Sequence, residues 1–420
     1  MPGNSLSLSI LSLVPSLALA SGTWVDTSFV PPSLGFENPV MIYLPEGYDP
    51  GGSTDYQVAI WLHGWTNHYT SNTTKVGQVH DSLVAAGGIE PCIFVHPEGW
   101  CQPYQGSMWA NSELYGNYED YVIQDIIAFI DTNYCTMGDG ARYIMGSSMG
   151  GSGALDLALR HPELFGCVVG NAAMPDMVVA MPYVIEEVLD ECPESEPPYS
   201  YDWGNGFYTD AEFLYSGGYS PNLSAPDSID FILDENGEVV DSVYALWETH
   251  NPAHMAKLDP PSDLLIGVVW GESDPQVAMC ENNESFVDTL AELGLPHAYY
   301  SDQYGHTPPR SRCAQMMLMA MGATGVEDGP GITPDVALSR PSPNPFSTSA
   351  VITFALPVSG QARIDVHDLS GRLMATPVEA ILPAGEHTTQ IDGSDMPPGV
   401  YLVHLRCGSM SDVTKCVLMR

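Results

Sequence analysis

The chain has 420 residues, which is enough for a large buried core and for two or three domains. Its 52 Asp and Glu residues against 12 Lys and Arg give a formal net charge of −40, which argues against binding to nucleic acid and against docking on anionic lipid. With 44% hydrophobic and 10% aromatic residues, the composition is that of a globular protein and excludes disorder along the whole chain.

The first segment is apolar over Leu6–Ala20 and ends in the tripeptide A-L-A, whose small residues suit cleavage by signal peptidase. It is too short for a permanent membrane-spanning helix, and no other segment is long and apolar enough for one. No Lys or Arg precedes Lys75, so the usual basic region is missing, and a buried first strand or helix is the alternative. The sequence predicts an exported chain with a signal peptide at residues 1–20.

Alternating short apolar runs and amphipathic helices extend over about residues 22–325, and this pattern is typical of an α/β fold with a mostly parallel sheet. Apolar spacing predicts a helix between Tyr118 and Ile130. A Pro-, Tyr- and acid-rich insertion follows at about residues 174–261, and such insertions usually cover the carboxyl ends of the strands, where ligands bind. Four runs predict strands: Val58–Leu62, Cys92–Val95, Arg142–Met145 and Leu264–Trp270.

Residues 326–345 are rich in Gly, Pro, Asp and Ser, which predicts a linker. Beyond it the residues alternate strictly, with Ile352, Phe354 and Leu356 on one face of a predicted strand. Several such runs separated by turns predict a small antiparallel β-sandwich at residues 346–420.

Nine cysteines are present without any C-x-x-C pair, so a structural zinc site is not expected. In an exported protein some cysteines would form disulfides, and an odd count leaves at least one of them free or cross-linked between chains. Cys407 and Cys416 flank a predicted hairpin and are the one pair that the sequence nominates.

The strongest chemical signal is the pentapeptide G-S-S-M-G at residues 146–150, between a predicted strand and a predicted helix. This is the G-x-S-x-G nucleophile elbow in its required setting, where the glycines let strand and helix approach closely and a tight turn presents the central serine. A chance Gly- and Ser-rich turn is the alternative, and the strand–turn–helix setting disfavours it. We therefore expect Ser148 to be a nucleophile.

A serine hydroxyl needs a general base, which needs an orienting acid, and at such elbows they follow in the chain order Ser, acid, His. His306 lies in a loop just after a further predicted strand, Ala298–Ser301, and is the expected base. His250 and His254 have a spacing that invites a metal site, but Pro252 between them breaks the helix that would align them. His161 is expected to be structural.

Asp274 follows the last of the four predicted strands and is the expected acid. A turn-forming Asp-Pro is the alternative explanation for Asp274, and Glu272 and Asp302 are its rivals for the role. An oxyanion hole requires two N–H donors, which we expect from Met149, directly after the nucleophile, and from Trp65, in an early loop. His63 in that loop is expected to be structural.

At these residues the chain resembles the esterase D-like branch of the α/β-hydrolases, which includes S-formylglutathione hydrolases, feruloyl and acetylxylan esterases and mycolyl transferases. The resemblance implies Ser148, Asp274 and His306 as a catalytic triad. The chain departs from the family at Ser147, where His or Leu is commoner, and in an elongated insertion near Trp203. The matching segments are M-I-Y-L-P at 41–45, L-H-G at 62–64, G-S-M-W-A-N-S at 106–112, G-N-Y-E-D-Y at 116–121, the elbow, R-H-P-E-L-F at 160–165, G-E-S-D at 271–274 and G-H at 305–306.

Near the C-terminus, S-P-N-P-F at 342–346, D-L-S-G-R at 368–372 and G-V-Y at 399–401 resemble the sorting and Ig-like modules of bacterial secreted proteins. This resemblance implies a partner in the type IX secretion machinery, or attachment to the cell surface. A substrate-binding appendage is the alternative, which the small number of aromatic residues disfavours.

The sequence therefore predicts a secreted carboxylic-ester hydrolase that acts through an acyl-enzyme, with no metal and no other cofactor. The expected substrate is a small-molecule or polymer-linked ester. A feruloyl or acetylxylan esterase and a polyester depolymerase are narrower alternatives. An acyltransferase and a catalytically inactive surface-binding protein are the remaining ones.

Overall fold

The computed structural model describes residues 21–138, 142–321, 337–338, 341, 343–356, 360–368, 372–383, 385–394, 396–407 and 410–419. The predicted signal peptide and most of the predicted linker lie outside these residues. No helix in the described part of the chain is both long enough and apolar enough to span a bilayer.

An eight-stranded sheet lies at the centre of the N-terminal part of the chain, with the strand order β1-β2-β4-β3-β5-β6-β7-β8. β2 pairs antiparallel with both β1 and β4, and the other neighbours are parallel, which confirms the predicted α/β class. The strands are β1 Thr23–Phe29, β2 Asn38–Leu44, β3 Gln57–Leu62, β4 Cys92–Pro97, β5 Arg142–Ser147, β6 Cys167–Asn171, β7 Leu265–Gly271 and β8 His297–Asp302.

Helices cover both faces of this sheet, as β3 illustrates. Its Val58 and Ile60 belong to one hydrophobic cluster, whereas Trp61 belongs to a second cluster on the opposite face. Burial on both faces explains why the central strands are continuous apolar runs. The helices are α1 Thr73–Ala85, α2 (Tyr118–Asp120, a π-helical turn Tyr121–Ile126, and Ile127–Asn133), α3 Met149–Arg160, α4 Met177–Glu191, α5 Phe207–Tyr219, α6 Asp241–Glu248, α7 Pro252–Leu258, α8 Met279–Leu293 and α9 Arg310–Met321.

The insertion at 174–261 forms the four helices α4 to α7. Asp176 caps α4, since its Oδ1 accepts the N–H of Val178 at 3.1 Å. Pro252 is the first residue of α7, where its missing N–H costs nothing. The helix therefore contains His254 but begins after His250, which is the break that the proline predicts.

Two antiparallel sheets form the C-terminal module and share one hydrophobic cluster, as expected for a small β-sandwich. Ile352, Phe354 and Leu356 are buried, whereas Val351 is 46% exposed, so the predicted alternation is confirmed. One sheet has the order β9-β10-β13 and the other β12-β11-β14-β15. The strands are β9 Ala337–Leu338, β10 Ser349–Leu356, β11 Gly360–Asp368, β12 Leu373–Leu382, β13 Gly385–Asp392, β14 Gly399–Cys407 and β15 Met410–Leu418.

The nominated disulfide between Cys407 and Cys416 is wrong, because both thiols are free. In the hairpin of β14 and β15, Cys407 lies opposite Met410 and Cys416 lies opposite Tyr401. The hairpin register thus separates the two cysteines along the strands, beyond the reach of an S–S bond.

Candidate active site

The turn between β5 and α3 holds Ser148 in a backbone conformation that is rare for a residue with a side chain, with φ 59° and ψ −125°. Such a turn requires the glycines on either side. A Cβ atom on Gly146 would lie 2.1 Å from the carbonyl oxygen of Gly150, and one on Gly150 would lie 2.0 Å from that of Leu62. The turn therefore has the geometry of a nucleophile elbow.

Ser147, the neighbouring serine, is buried at 8% exposure, and its Oγ accepts a 2.8 Å hydrogen bond from Asn171 Nδ2. The carbonyl oxygen of Asn171 in turn accepts the N–H of Ser148 at 2.8 Å. Asn171 thus holds the elbow from β6, with Ser147 turned into the protein and Ser148 facing a pocket.

His306 and Asp274 lie on the loops that follow β8 and β7, neighbouring strands of the sheet. His306 Nδ1 is 2.7 Å from Asp274 Oδ2, and the side chain of Asp274 is fully buried. Asp274 Oδ1 accepts the N–H of Gln276 at 3.0 Å, which orients the carboxylate. On the pocket side, the amide of Gln276 is 3.4 Å from His306 Nε2.

The two rival acids have other partners. Asp302 forms a buried ion pair with Arg312, whose Nε is 3.0 Å from Asp302 Oδ2. Glu272 is exposed, and its Oε1 accepts the hydroxyl of Ser301 at 2.8 Å. The structure brings Asp274 to the imidazole of His306 and directs these two carboxylates elsewhere.

The two expected oxyanion donors lie on either side of the elbow. Met149 is the first residue of α3, where an N–H has no partner within the helix. Trp65 lies in the loop after β3, which approaches Ser148 so closely that a Cβ atom on Gly64 would be 3.2 Å from Ser148 Cβ. The indole of Trp65 is fixed by a 2.8 Å hydrogen bond from Nε1 to the carbonyl oxygen of Tyr104.

His63 helps to hold the loop that follows β3 and contains Trp65. Its Nδ1 is 2.9 Å from the carbonyl oxygen of Gly64, and its Nε2 is 2.9 Å from Glu98 Oε1. Burial opposes the ionisation of Glu98, but hydrogen bonds, first of all that with His63, outweigh this effect and lower the pKa of Glu98. As expected, His63 is a buried structural residue.

The other histidines singled out in the sequence pair with separate acids. His161 Nε2 is 2.8 Å from Glu119 Oε1, and His250 Nδ1 is 2.7 Å from Asp156 Oδ2. His254 instead faces Glu248 at 3.7 Å. His250 and His254 therefore do not share a metal site.

Family models identify both parts of the chain. The model described as "Putative esterase" matches residues 32–294. The chain belongs to this esterase family. A second model, the secretion system C-terminal sorting domain, matches residues 342–419. The esterase is therefore a secreted or cell-surface bacterial protein with a type IX sorting domain.

Two curated proteins match part of the chain. The esterase is 30% identical over 187 residues to a Xylanibacter ruminicola protein named endo-1,4-beta-xylanase/feruloyl esterase, with 42% of this chain and 25% of that protein covered. The chain thus spans about a quarter of the length of that relative. It is also 24% identical over 182 residues to the uncharacterized protein YjcH of Bacillus subtilis, with 43% of this chain and 70% of that protein covered.

Among solved structures, a ferulic acid esterase matches with a TM-score of 0.50 and 17% identity, covering 72% of this chain and 96% of that one. A likeness at this identity shows the fold alone. The esterase thus has an α/β-hydrolase fold followed by an all-β module.

A pocket opens beside Ser148, between the elbow and the insertion, with about 780 Å³ of space that is partly open to solvent. Glu212 of α5 also lines the pocket, and sequence analysis missed it, because only the packing of α5 over the elbow brings it there. Most of the wall is apolar and comes from the insertion: Met174, Met177, Met181, Val184, Leu214 and Trp247.

Arg312 of α9 is a second residue that sequence analysis missed. Its side chain is fully buried and donates from Nη1 to the carbonyl oxygen of Gly305 at 3.0 Å and to Asn171 Oδ1 at 3.3 Å, besides its ion pair with Asp302. Arg312 thereby joins the loop that contains His306 to strand β6, whose Asn171 holds the elbow. The sequence does carry a signal for Arg312. Lys and Arg are rare in this chain, with 12 in 420 residues, and Arg312 lies shortly after the loop that contains His306.

Proposed function

We propose that the esterase cleaves carboxylic esters through an acyl-enzyme on Ser148, with His306 as the general base and Asp274 as the acid that orients it. The observation that carries this proposal is the 2.7 Å contact between His306 Nδ1 and the fully buried Asp274 Oδ2. A buried carboxylate favours the tautomer with hydrogen on Nδ1, which leaves the lone pair of Nε2 to accept a proton from serine.

In the first half of this mechanism, Ser148 Oγ attacks the ester carbonyl carbon while His306 Nε2 takes the hydroxyl proton. Negative charge develops on the carbonyl oxygen, and the N–H groups of Met149 and Trp65 stabilise it. The tetrahedral intermediate collapses, the alkoxide leaves with the proton from His306, and the acyl group stays on Ser148. Water, deprotonated by His306, then attacks the acyl group and releases the carboxylic acid.

The variant Ser148→Ala tests this mechanism. It should abolish ester hydrolysis and covalent labelling by a fluorophosphonate probe while the thermal melt stays close to that of the native protein. Ser147→Ala is the matched control and should still be labelled, because the Ser147 hydroxyl bonds Asn171 inside the protein. Labelling that persists in Ser148→Ala and maps to Ser147 would overturn the assignment.

A narrower candidate function is the cleavage of feruloyl esters on plant polysaccharides. It is favoured by the Xylanibacter ruminicola relative, whose printed name includes feruloyl esterase. A panel of methyl ferulate, acetylated xylan and p-nitrophenyl esters of graded acyl length distinguishes the possibilities. Higher kcat/KM on methyl ferulate than on every simple acyl ester supports the narrower function, and a maximum on short acyl esters contradicts it.

A further inference from the structure

Glu212 is an unusual residue for the wall of an apolar pocket. Glu212 lies on α5 and is 4% exposed. Among the described residues that line the pocket, it is the one with a carboxyl group. Its Oε2 is buried and has no hydrogen-bond partner among the described residues. Burying a carboxyl oxygen without a partner destabilises a protein, and such a group in a native protein calls for an explanation.

Two other polar groups of the pocket have partners within the protein. The hydroxyl of Tyr208 accepts the N–H of Val277 at 3.0 Å, and the hydroxyl of Ser152 accepts that of Met174 at 3.1 Å. Both hydroxyls therefore help to hold the insertion on the site. Glu212 Oε2 has no such bond among the described residues, so a partner for the carboxyl group is sought in what the pocket binds.

The chemistry of that partner follows from the charge state of Glu212. Burial raises the pKa of Glu212 to about 8, so the carboxyl group is neutral at pH 7, with one O–H donor and one carbonyl acceptor. A neutral acid does not favour a cation, and the absence of Lys and Arg among the described lining residues disfavours an anion. A hydroxyl group both donates and accepts, which matches the neutral acid.

We propose that Glu212 is a specificity-determining residue of the pocket beside Ser148, and that its carboxyl group hydrogen-bonds a hydroxyl on the part of the ester that enters the pocket. This inference rests on the esterase mechanism proposed above and adds the class of substrate: esters with an apolar body that bears a hydroxyl. The apolar wall binds the body, and a substrate without the hydroxyl leaves Glu212 unpaired, which lowers kcat/KM.

The test compares esters that differ by one group. One series consists of methyl 3-phenylpropanoate and its 3-hydroxy, 4-hydroxy and 4-methoxy ring derivatives, and a second series consists of benzyl acetates with the same ring groups. The first series varies the acyl side and the second the alcohol side, so the pocket is probed whichever half it binds. The readout is the ratio of kcat/KM for each hydroxylated ester to that for the plain ester.

In the native esterase we expect a ratio of about 10 to 100 for at least one hydroxylated ester, in one series or the other. Glu212→Leu and Glu212→Met remove donor and acceptor and should bring that ratio close to one. Glu212→Gln keeps both and should retain the preference within a few-fold. Glu186→Leu, an exposed residue of α4 outside the pocket lining, is the matched control and should leave the ratio unchanged.

Three results would overturn the inference: no preference for any hydroxylated ester, a preference that survives in both apolar variants, or an equal preference for the methoxy ester, which would indicate size alone. Failure here is distinguishable from failure of the proposed mechanism. If the plain esters are hydrolysed and Ser148→Ala abolishes that hydrolysis, the mechanism stands and only the role of Glu212 falls.

Discussion

The strand ends of the central sheet and the helical insertion at 174–261 meet at one site but contribute to it differently. Ser148 directly follows β5, and Asp274 and His306 lie on the loops after β7 and β8, where the pairing of parallel strands fixes the start of each loop. The insertion supplies most of the pocket wall through side chains on α4 and α5. The sheet therefore positions the proposed catalytic residues, and the insertion shapes the pocket that we expect to select the substrate.

The two regions also differ in what holds them. Backbone hydrogen bonds and the buried Arg312 join the loops at the strand ends. The insertion is held by aromatic packing, in which Trp203 lies 5.0 Å from Tyr104 and 6.3 Å from Trp65 between ring centroids, together with side-chain hydrogen bonds such as those that Tyr208 and Ser152 accept. Changes at the strand ends should therefore alter turnover most, and changes in the insertion should alter selectivity or stability most.

The largest expected effect is that of Asp274→Asn at the strand ends. Loss of the carboxylate leaves His306 without the acceptor that sets its tautomer, and turnover should fall by about 10⁴-fold. Glu272→Gln is the matched control and should cost far less, since Glu272 is exposed and bonds Ser301. Steady-state kinetics on a soluble ester, with thermal melts to verify folding, measure both variants.

Asp302→Asn completes this test. It should also reduce turnover far less than Asp274→Asn, although it breaks the buried ion pair with Arg312 and lowers stability. The comparison is therefore made at a temperature where every variant is folded. Our placement of the acid is wrong if Asp302→Asn abolishes turnover while Asp274→Asn does not.

The carboxyl group of Glu212, in the insertion, should make the stability of the protein depend on pH. Glu212 has a pKa of about 8 in the folded protein against the ordinary value of 4.5, so its stabilising contribution is complete below pH 4.5 and is lost as the pH rises to 8. Between pH 5 and pH 8 the native protein should therefore lose stability relative to Glu212→Gln. The difference between their free energies of unfolding should change by up to about 4 kcal/mol. Urea denaturation of both proteins across this range measures the difference.

Glu186→Gln is the control for that measurement, because Glu186 is exposed on the neighbouring helix α4. A pH trend as steep in Glu186→Gln as in Glu212→Gln would show that the trend does not come from the pocket. A difference between Glu212→Gln and the native protein that does not change with pH would contradict the raised pKa of Glu212.

Arg312→Lys probes the support of the strand ends. Lysine keeps the charge but cannot reach Asp302, Gly305 and Asn171 together, so we expect a loss of about 2 kcal/mol in stability. Because Gly305 precedes His306, kcat should fall about 10-fold with KM nearly unchanged. Arg310→Lys, at an exposed position of the same helix, is the control. A raised KM with native kcat would contradict the positioning role.

The smallest effect is expected from removing the C-terminal module. A chain that ends at residue 323 should fold and keep its kcat/KM on a small soluble ester within about two-fold, because every proposed catalytic residue precedes the predicted linker. A chromogenic acetate ester is a suitable substrate. Loss of its hydrolysis would show that the two parts work as one unit.

The sequence predicts the structure best where the signal is local. The elbow at 146–150 combines a strand, a turn and a helix within a short segment, so its geometry follows from neighbouring residues. The strands at Cys92–Pro97 and Leu265–Gly271 were recognisable because burial on both faces makes them continuously apolar. The alternation around Ile352 likewise reveals which face of the C-terminal strand is buried.

The sequence alone does not reveal a role that depends on contacts between residues distant in sequence. Glu212 looks like any surface glutamate of a helix until α5 is seen packed over the elbow. Arg312 acquires its partners only when α9 lies against β6 and the histidine loop. The nominated disulfide failed because the two cysteines flank a hairpin in sequence while the strand register separates Cys407 from Cys416.

The most direct test of the central claim is to trap the acyl-enzyme. The esterase is mixed with a p-nitrophenyl ester, whose good leaving group makes acylation fast, quenched in acid within milliseconds, digested and mapped by mass spectrometry. The account predicts a burst of p-nitrophenol and the mass of one acyl group on the peptide that contains Ser148. An acyl group on any other residue, or turnover that continues in Ser148→Ala at the native rate, would contradict it.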